Sequence, residues 1–373
     1  MTGANQKTAD IKTGSVVSII IPTYNCADFL PETIESVKAQ THPHWELLIL
    51  DDGSTDDTES VVRPYLLDDR IRYFKLAKQD SCGARVRNIG FTKSTGDYIC
   101  YLDSDDLLYP DALQVLLKPL LKNERTQYSK AFFTCIDEYS REIRNRGIHL
   151  IRLYGNDNEM DGNDKGAPQY AVPPGFRHDL KTMMDVQFSI QLATVLFRRE
   201  ALVKLGPFRE DLSHSDDFEF FIRMVVDDPS VMETVPAYTL KYRIRSTALT
   251  SDVSKLSALI GCHIRVLNDI YAWQNLPEEA IAYKNHVFVN SYRRAARNQL
   301  NVRRPQMVWY LARLAWNDPS IEKIELIRQF WSILLQASLP MILYFQLVTI
   351  KDWLRRLRYQ QLTPLGRQVL TTG

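Results

Sequence analysis

Three carboxylates, Asp103, Asp105 and Asp106, stand together in the stretch Tyr98–Leu113, YICYLDSDDLLYPDAL. They follow a short apolar run, Ile99, Tyr101 and Leu102, that reads as a buried strand, and Pro110 marks the first turn of the next helix. Acids crowded at the end of a buried strand repel one another and lose hydration unless a cation sits among them. A hard divalent ion, held by carboxylates and completed by a ligand's phosphate oxygens, answers that need. The spacing Asp-Ser-Asp-Asp places Asp103 and Asp105 on one side of an extended segment. The plainer reading makes Asp105 or Asp106 the cap of the helix that follows. A second acidic pair, Asp216 and Asp217, opens a run in which Phe218, Phe221, Ile222 and Val225 form an apolar helix face. Spacing alone makes that pair a helix cap.

The elements that must position these acids alternate along the first half of the chain. Val16–Ile21 (VVSIII) is a β-branched run covered on both faces, as in a parallel sheet, and it stops at Pro22-Thr23-Tyr24-Asn25. A helix carrying Phe29, Ile34 and Val37 follows, then the strand Trp45–Leu50, which closes on Asp51-Asp52-Gly53-Ser54. A further helix, the strand Ile71–Leu76 and a helix over 83–92 lead back to Tyr98. Four alternations in about a hundred residues predict an α/β fold with a mostly parallel, doubly wound sheet, whose ligands bind at the carboxyl ends of the strands. Pro22–Asn25, Asp51–Asp52 and Asp103–Asp105 all fall at such ends. From about 139 to 185 the pattern dissolves into a Gly-, Asn-, Asp- and Pro-rich excursion, read as a surface segment that orders over a ligand or stays disordered. Strands are predicted again at Gln191–Arg198 and Val235–Ile244. The resulting division is a flexible tail over 1–15, an α/β domain over 16–250, a helical extension over 251–320, and a C-terminal helix within 321–373.

Composition sets outer bounds. The chain has 373 residues, 45% of them hydrophobic and 24% charged, enough for a large core or two domains. A net charge of +1 argues against a nucleic-acid partner, and Arg293, Arg294, Arg297, Arg303 and Arg304 read as a solvated helix face. Five scattered cysteines without CxxC spacing suit the reducing cytoplasm rather than a disulfide framework or a structural zinc. The polar first fifteen residues predict no signal peptide. Residues 330–350 carry no charge and are followed by Lys351, Arg355, Arg356 and Arg358, but Gln336, Pro340 and Gln346 interrupt them. A kinked helix lying on the inner membrane face, with its basic border toward anionic lipid, fits that pattern better than a spanning helix, and a helix packed on its own domain is the plainer alternative.

Four stretches in this order, VSIIIPTYN, LLILDDGSTDDT, RVRNIGF leading into GDYICYLDSDDLLYPDAL, and GPFREDLSHSDDFEFFIR, resemble the inverting family 2 glycosyltransferases of GT-A fold, over about residues 16–245. The resemblance implies transfer of a sugar from a nucleotide-sugar donor, a UDP-sugar by preference, to a glycan or lipid-linked saccharide, with Mn2+ or Mg2+ assisting. Pro22, Thr23 and Tyr24 would line the nucleotide base, Asp52 would accept from the base or ribose, and Arg87 would sit near the base, with Asn88 shaping the loop. Asp103, with Ser104, would bind the ribose side, Asp105 the metal, and Asp217 would be the base that takes the acceptor's proton. Asp216 stands where the family usually has Glu before that base. The family's usual histidine after the last strand is replaced in Tyr242-Arg243-Ile244-Arg245, and Arg245 is expected to supply fixed positive charge to the diphosphate. A sugar-1-phosphate nucleotidyltransferase shares such a sheet but needs an early glycine-rich phosphate loop, and residues 16–30 hold no glycine. A silent nucleotide-sugar-binding protein on the same fold would lose the base that Asp217 supplies.

Overall fold

A computed structural model describes residues 15–78, 83–143, 191–227, 231–245, 256–301, 305–319, 321–324 and 326–327. The excursion read at 139–185 lies mostly outside the described residues, as do the tail and the apolar segment 330–350. The chain separates into two compact units, Met1–Ala280 and Ile281–Gly373.

The first unit is built on an eight-stranded sheet of order β3-β2-β1-β4-β7-β6-β8-β5. Its strands are β1 (Val17–Thr23), β2 (Trp45–Asp51), β3 (Ile71–Lys75), β4 (Tyr98–Tyr101), β5 (Leu107–Leu108), β6 (Tyr128–Ile136), β7 (Val195–Arg198) and β8 (Met232–Arg243). β1 is central because Ile19, Ile20 and Ile21 leave no polar face to expose, and all three are fully buried. The quartet β3-β2-β1-β4 is parallel, whereas β7 runs antiparallel to β4 and to β6, and β5 antiparallel to β8. The sheet is therefore mixed. Since β6 and β8 are parallel to one another, both run in the direction of β4.

Register brings the chemistry-bearing ends together. Thr23 lies opposite Asp51, and Ile20 opposite Tyr101, so the loops after β1, β2 and β4 leave one edge side by side. β5 pairs Leu107 with Lys241 and Leu108 with Leu240, which ties the acidic turn after β4 to the end of β8.

Helices α1 (Leu30–Lys38), α2 (Thr58–Val62), α3 (Ala84–Lys93), α4 (Ala112–Lys122), α5 (Arg199–Leu205), α6 (Asp216–Asp227) and α7 (Leu256–Ile270) complete this unit. The helix after the acidic stretch opens at Ala112 with Asp111 before it, so Pro110 precedes the helix rather than lying in its first turn. Gly90 lets α3 lie close on the sheet, because a Cβ there would run into Ile20 Cγ2 and come within 3.2 Å of Leu50 Cδ2. α8 (Glu278–Ala282) spans the junction, and α9 (Lys284–Asn301) and α10 (Pro305–Asn317) belong to the second unit. The change to helical sequence near 251 and the division of packing at 280 are thus different boundaries, since α7 packs with the first unit. Among the described residues, no helix is long and apolar enough to cross a membrane.

Candidate active site

The loops after β1 and β2 interlock. Asn25, held at φ +48°, accepts the Thr55 N–H at 2.8 Å and donates its own N–H to Ser54 Oγ at 2.9 Å. Asp51 is consumed in this scaffold: it accepts from the Ser54 N–H at 2.7 Å and from the Tyr73 hydroxyl. Asp52 faces the site instead, 2.8 Å from Lys78 Nζ and 3.4 Å from Arg85 Nη1. The Lys78 ammonium also stands 3.9 Å from the centre of the Tyr24 ring, a cation–π contact on a tyrosine that is 46% exposed. Gly53, at φ +78°, permits this closeness, since a Cβ would lie 2.9 Å from the Lys78 backbone nitrogen. Thr23 is buried, with no hydrogen-bond partner for Oγ1 among the described residues, and Pro22 is half-buried beside it.

After β4 the backbone turns at Ser104–Asp105, with the Asp106 N–H donating to the Asp103 carbonyl at 3.2 Å. The segment is not extended, so strand alternation does not relate Asp103 to Asp105. Asp106 points inward and accepts the Arg243 N–H at 2.8 Å. Burial and the two neighbouring carboxylates hold its proton affinity well above the usual carboxylate range. The fully buried Arg243 guanidinium bolts the turn down, donating to the Asp105 carbonyl at 2.7 Å, to Ser140 Oγ at 2.9 Å and to Glu32 at 2.7 Å. The Ser104 carbonyl accepts from Thr33 Oγ1 at 3.0 Å.

Arg245, next on the same side of the chain, places Nε 2.7 Å from Asp105 Oδ2. The contact is an ion pair without hydrogen-bond geometry, and the guanidinium lies 5.2 Å from the Phe29 ring centre. Burial raises the Asp105 proton affinity, and Arg245 opposes the rise. Carboxylate oxygens are the donors a magnesium- or manganese-type ion takes, and such ions fill the rest of their shell with water and substrate phosphate. Among the described residues no three acidic, His or Cys side chains converge into a cage. Asp105 offers such an ion a carboxylate donor, and water and a ligand's phosphates would have to supply the rest of its shell.

The second acidic pair comes to the same edge. Asp216 and Asp217 form the first turn of α6, and Arg87 on α3 donates to Asp216 Oδ2 at 2.9 Å and to Asp103 Oδ1 at 3.5 Å. One guanidinium thus joins the end of β4 to the start of α6. Asp217 is half-buried and accepts the Phe218 N–H at 2.7 Å, but α6 opens at Asp216, so both acids lie in its first turn and Ser215 precedes them at the cap position. Burial, followed by the Asp216 charge, pushes Asp217 up to about 6, and Arg87 pulls the other way.

The approach to α6 is clamped from two sides. Asn88 receives the Phe208 N–H at 2.9 Å and donates to the Phe208 carbonyl and Glu210. α7 contributes Arg265, 2.6 Å from Asp211, and His263, whose ring packs tilted against Phe218 with centroids 4.7 Å apart and lies 3.4 Å from Ser215 Oγ.

Pro22, Thr23, Tyr24, Asp52, Arg87, Asp103, Ser104, Asp105, Asp217 and Arg245 therefore all lie at the sheet edge where the strands of the parallel quartet and β8 end. Arg87 differs from its expected place: it reaches Asp103 and Asp216, and Arg85, two residues earlier, is the arginine at Asp52. Lys78, Arg85, Arg243 and the α7 clamp escaped sequence reasoning. Only the i, i+2 repeat of Arg243 and Arg245 after a strand could have signalled one of them.

The sequence model of the family described as Glycosyl transferase family 2 matches residues 18–202. An uncharacterized glycosyltransferase of Haemophilus influenzae is 38% identical over 211 residues, 56% of this chain and 70% of that protein. An uncharacterized glycosyltransferase of Rickettsia felis is 42% identical over 153 residues, 41% of this chain, which spans only 25% of that longer relative. In fold, the chain is similar to TarS 1–349 of S. aureus in complex with UDP-GlcNAc, with TM-score 0.53 and 16% identity over 76% of this chain and 72% of that one.

Proposed function

This chain belongs to glycosyl transferase family 2, and from that premise we propose that it moves a sugar, with inversion, from a uridine-diphosphate sugar to a hydroxyl of a glycan or lipid-linked saccharide. The observation that carries the reading is the convergence of the Asp216–Asp217 turn with the acidic end of β4, Arg87 joining Asp216 to Asp103. In-line inversion needs a carboxylate on the acceptor side and charge compensation on the leaving-group side, and the two lie along one sheet edge.

The base preference follows from Asp52 and its flanking cations. Lys78 donates, the Asp52 carboxylate accepts and Arg85 donates, a donor–acceptor–donor array. Uracil presents the complement, O4, N3–H and O2. Cytosine and adenine would turn a lone pair toward the carboxylate, and guanine would bring an amino group against a cation. The exposed Tyr24 face supplies a stacking surface, and the half-exposed Asp103 carboxylate suits the ribose hydroxyls. TarS in its UDP-GlcNAc complex offers a fold-level parallel.

Asp217 takes the proton of the acceptor hydroxyl as its oxygen attacks the anomeric carbon and the bond to the diphosphate oxygen breaks. A carboxylate held near 6 is a stronger base than an ordinary one yet is mostly ionised at pH 7. Arg245 would meet the diphosphate with fixed charge, and Asp105 would hold the Mn2+ or Mg2+ ion. When bound, that ion supplies Lewis-acid neutralisation of the departing nucleoside diphosphate. The uncharged segment 330–350 with its basic border supports acceptor encounter at the inner membrane surface.

Incubating the protein with α-linked UDP-, dTDP- and GDP-sugars, and following the products by NMR, tests this reading. Release of the β-anomer from a uridine donor is expected. Retention of configuration, or turnover confined to purine donors, would overturn it.

A further inference from the structure

The Asp105 carboxylate has two claimants. Arg245 already neutralises it, with Nε 2.7 Å from Oδ2, and both side chains are largely withdrawn from solvent. A divalent ion on the same carboxylate would sit beside that guanidinium, and like charges a few ångströms apart oppose one another strongly where water is scarce. We propose that Arg245 is the counter-ion of Asp105 before the donor binds, and that metal and Arg245 exchange on this carboxylate as the donor diphosphate arrives. This rests on the reading of the site as a nucleotide-sugar site.

Three features argue for exchange rather than for a permanent bridge. The turn itself does not depend on Arg245, because Arg243 holds the Asp105 carbonyl and Asp106 independently. Arg245 could leave without releasing the backbone. Among the described residues its Nε–H has no hydrogen-bond acceptor, so its contact with Asp105 rests on charge, unlike the five directed contacts of Arg243. And the Phe29 ring beside the guanidinium offers it a cation–π resting surface while it reaches for another anion.

The consequence is thermodynamic coupling. Without the donor, metal must displace a cation from a buried acid and leave that cation unpaired, so binding is weak. With the donor, its phosphate oxygens accept Arg245 and complete the metal's shell, so each ligand strengthens the other reciprocally. Among the described residues no cage of three ligands offers the metal an alternative.

Manganese binding to the full chain, followed by EPR with and without UDP, tests this. Without UDP, Arg245→Met is expected to bind Mn2+ at least about tenfold tighter than wild type, within the range of such couplings. Arg245→Lys, which keeps the charge, should stay as weak as wild type. Adding Asp105→Asn to Arg245→Met should abolish the gain. With UDP, wild type should tighten on Mn2+ by more than Arg245→Met does. Equal Mn2+ affinity of wild type and Arg245→Met without UDP would overturn the proposal, as would a gain that survives Asp105→Asn. Should Arg245→Met fail to give a native circular-dichroism melt, Arg245→Gln takes its place. Failure of wild type to bind UDP at all would instead sink the nucleotide-sugar reading, whereas the Mn2+ comparison without UDP speaks to the exchange alone.

Discussion

Replacing Arg87 by Met should change the pH dependence of turnover more than its maximum. Arg87 donates to Asp216 at 2.9 Å and to Asp103 at 3.5 Å, and its charge lowers the proton affinity of Asp217. Losing a neighbouring opposite charge raises a carboxylate by about 1–3 units, and the lower end applies to Asp217 because the guanidinium's direct contact is with Asp216. From a starting value of about 6, the ionised fraction at pH 6 then falls from about one half to about one tenth, a fivefold loss of competent base. At pH 8 it falls by only about a tenth. Rates of UDP release from a saturating UDP-sugar, measured from pH 5.5 to 8.5, should therefore converge with wild type at alkaline pH and diverge at acid pH. Arg87→Lys should return the midpoint toward that of wild type. Parallel profiles, with Arg87→Met equally slow at pH 6 and pH 8, would refute the coupling of this guanidinium to the base.

Two further outcomes concern the fold beneath the site. Gly90→Ala puts a methyl group into the Ile20 side chain and should cost about 1–3 kcal/mol, read as a lowered urea midpoint with an unchanged m-value. An unchanged midpoint would mean that α3 does not lie as close to β1 as described. Lys130 on β6 is fully buried, and burial pushes its proton affinity down to about 7. Between that value and the unfolded 10.5 the unfolded chain binds a proton that the fold does not, so this group makes stability rise with pH by up to about 1.4 kcal/mol per unit. Urea denaturation at pH 7.5 and 9 should show wild type gaining on Lys130→Met as pH rises, and parallel trends would contradict the burial of a neutral amine.

What could be read from the chain, and what could not, divides along lines of locality. The run VVSIII announces a central strand because a sequence without polar positions has nowhere to go but between two layers. Asp216 and Asp217 announce a helix start because acids in a first turn meet the unpaired N–H groups and positive end of the helix. By contrast, β6 carries Lys130 and Thr134 among its buried positions, so it shows no strand pattern, and it is recognisable only once β7 and β8 flank it. The antiparallel course of β7 depends on connections far apart in the chain. At the site, the acids were legible because their type and place at strand ends restrict their chemistry. Their partners were not. Arg85 and Arg87 differ by two positions on α3, and which one meets Asp52 and which Asp216 depends on the rotation of that helix over the sheet. Likewise the turn at Ser104–Asp105, which separates Asp103 from Asp105, comes from the pairing of β5 with β8, a contact across more than a hundred residues.

The central claim, that Asp217 activates the acceptor over a filled uridine-diphosphate-sugar site, meets its most direct test in Asp217→Asn. Calorimetric titration with UDP and Mn2+ should give wild-type affinity, because the proposed role puts Asp217 against the acceptor and the amide keeps the shape of the carboxylate. Sugar transfer or donor hydrolysis should fall by roughly 10²–10⁴. Turnover within a few-fold of wild type, with UDP still bound, would contradict the account.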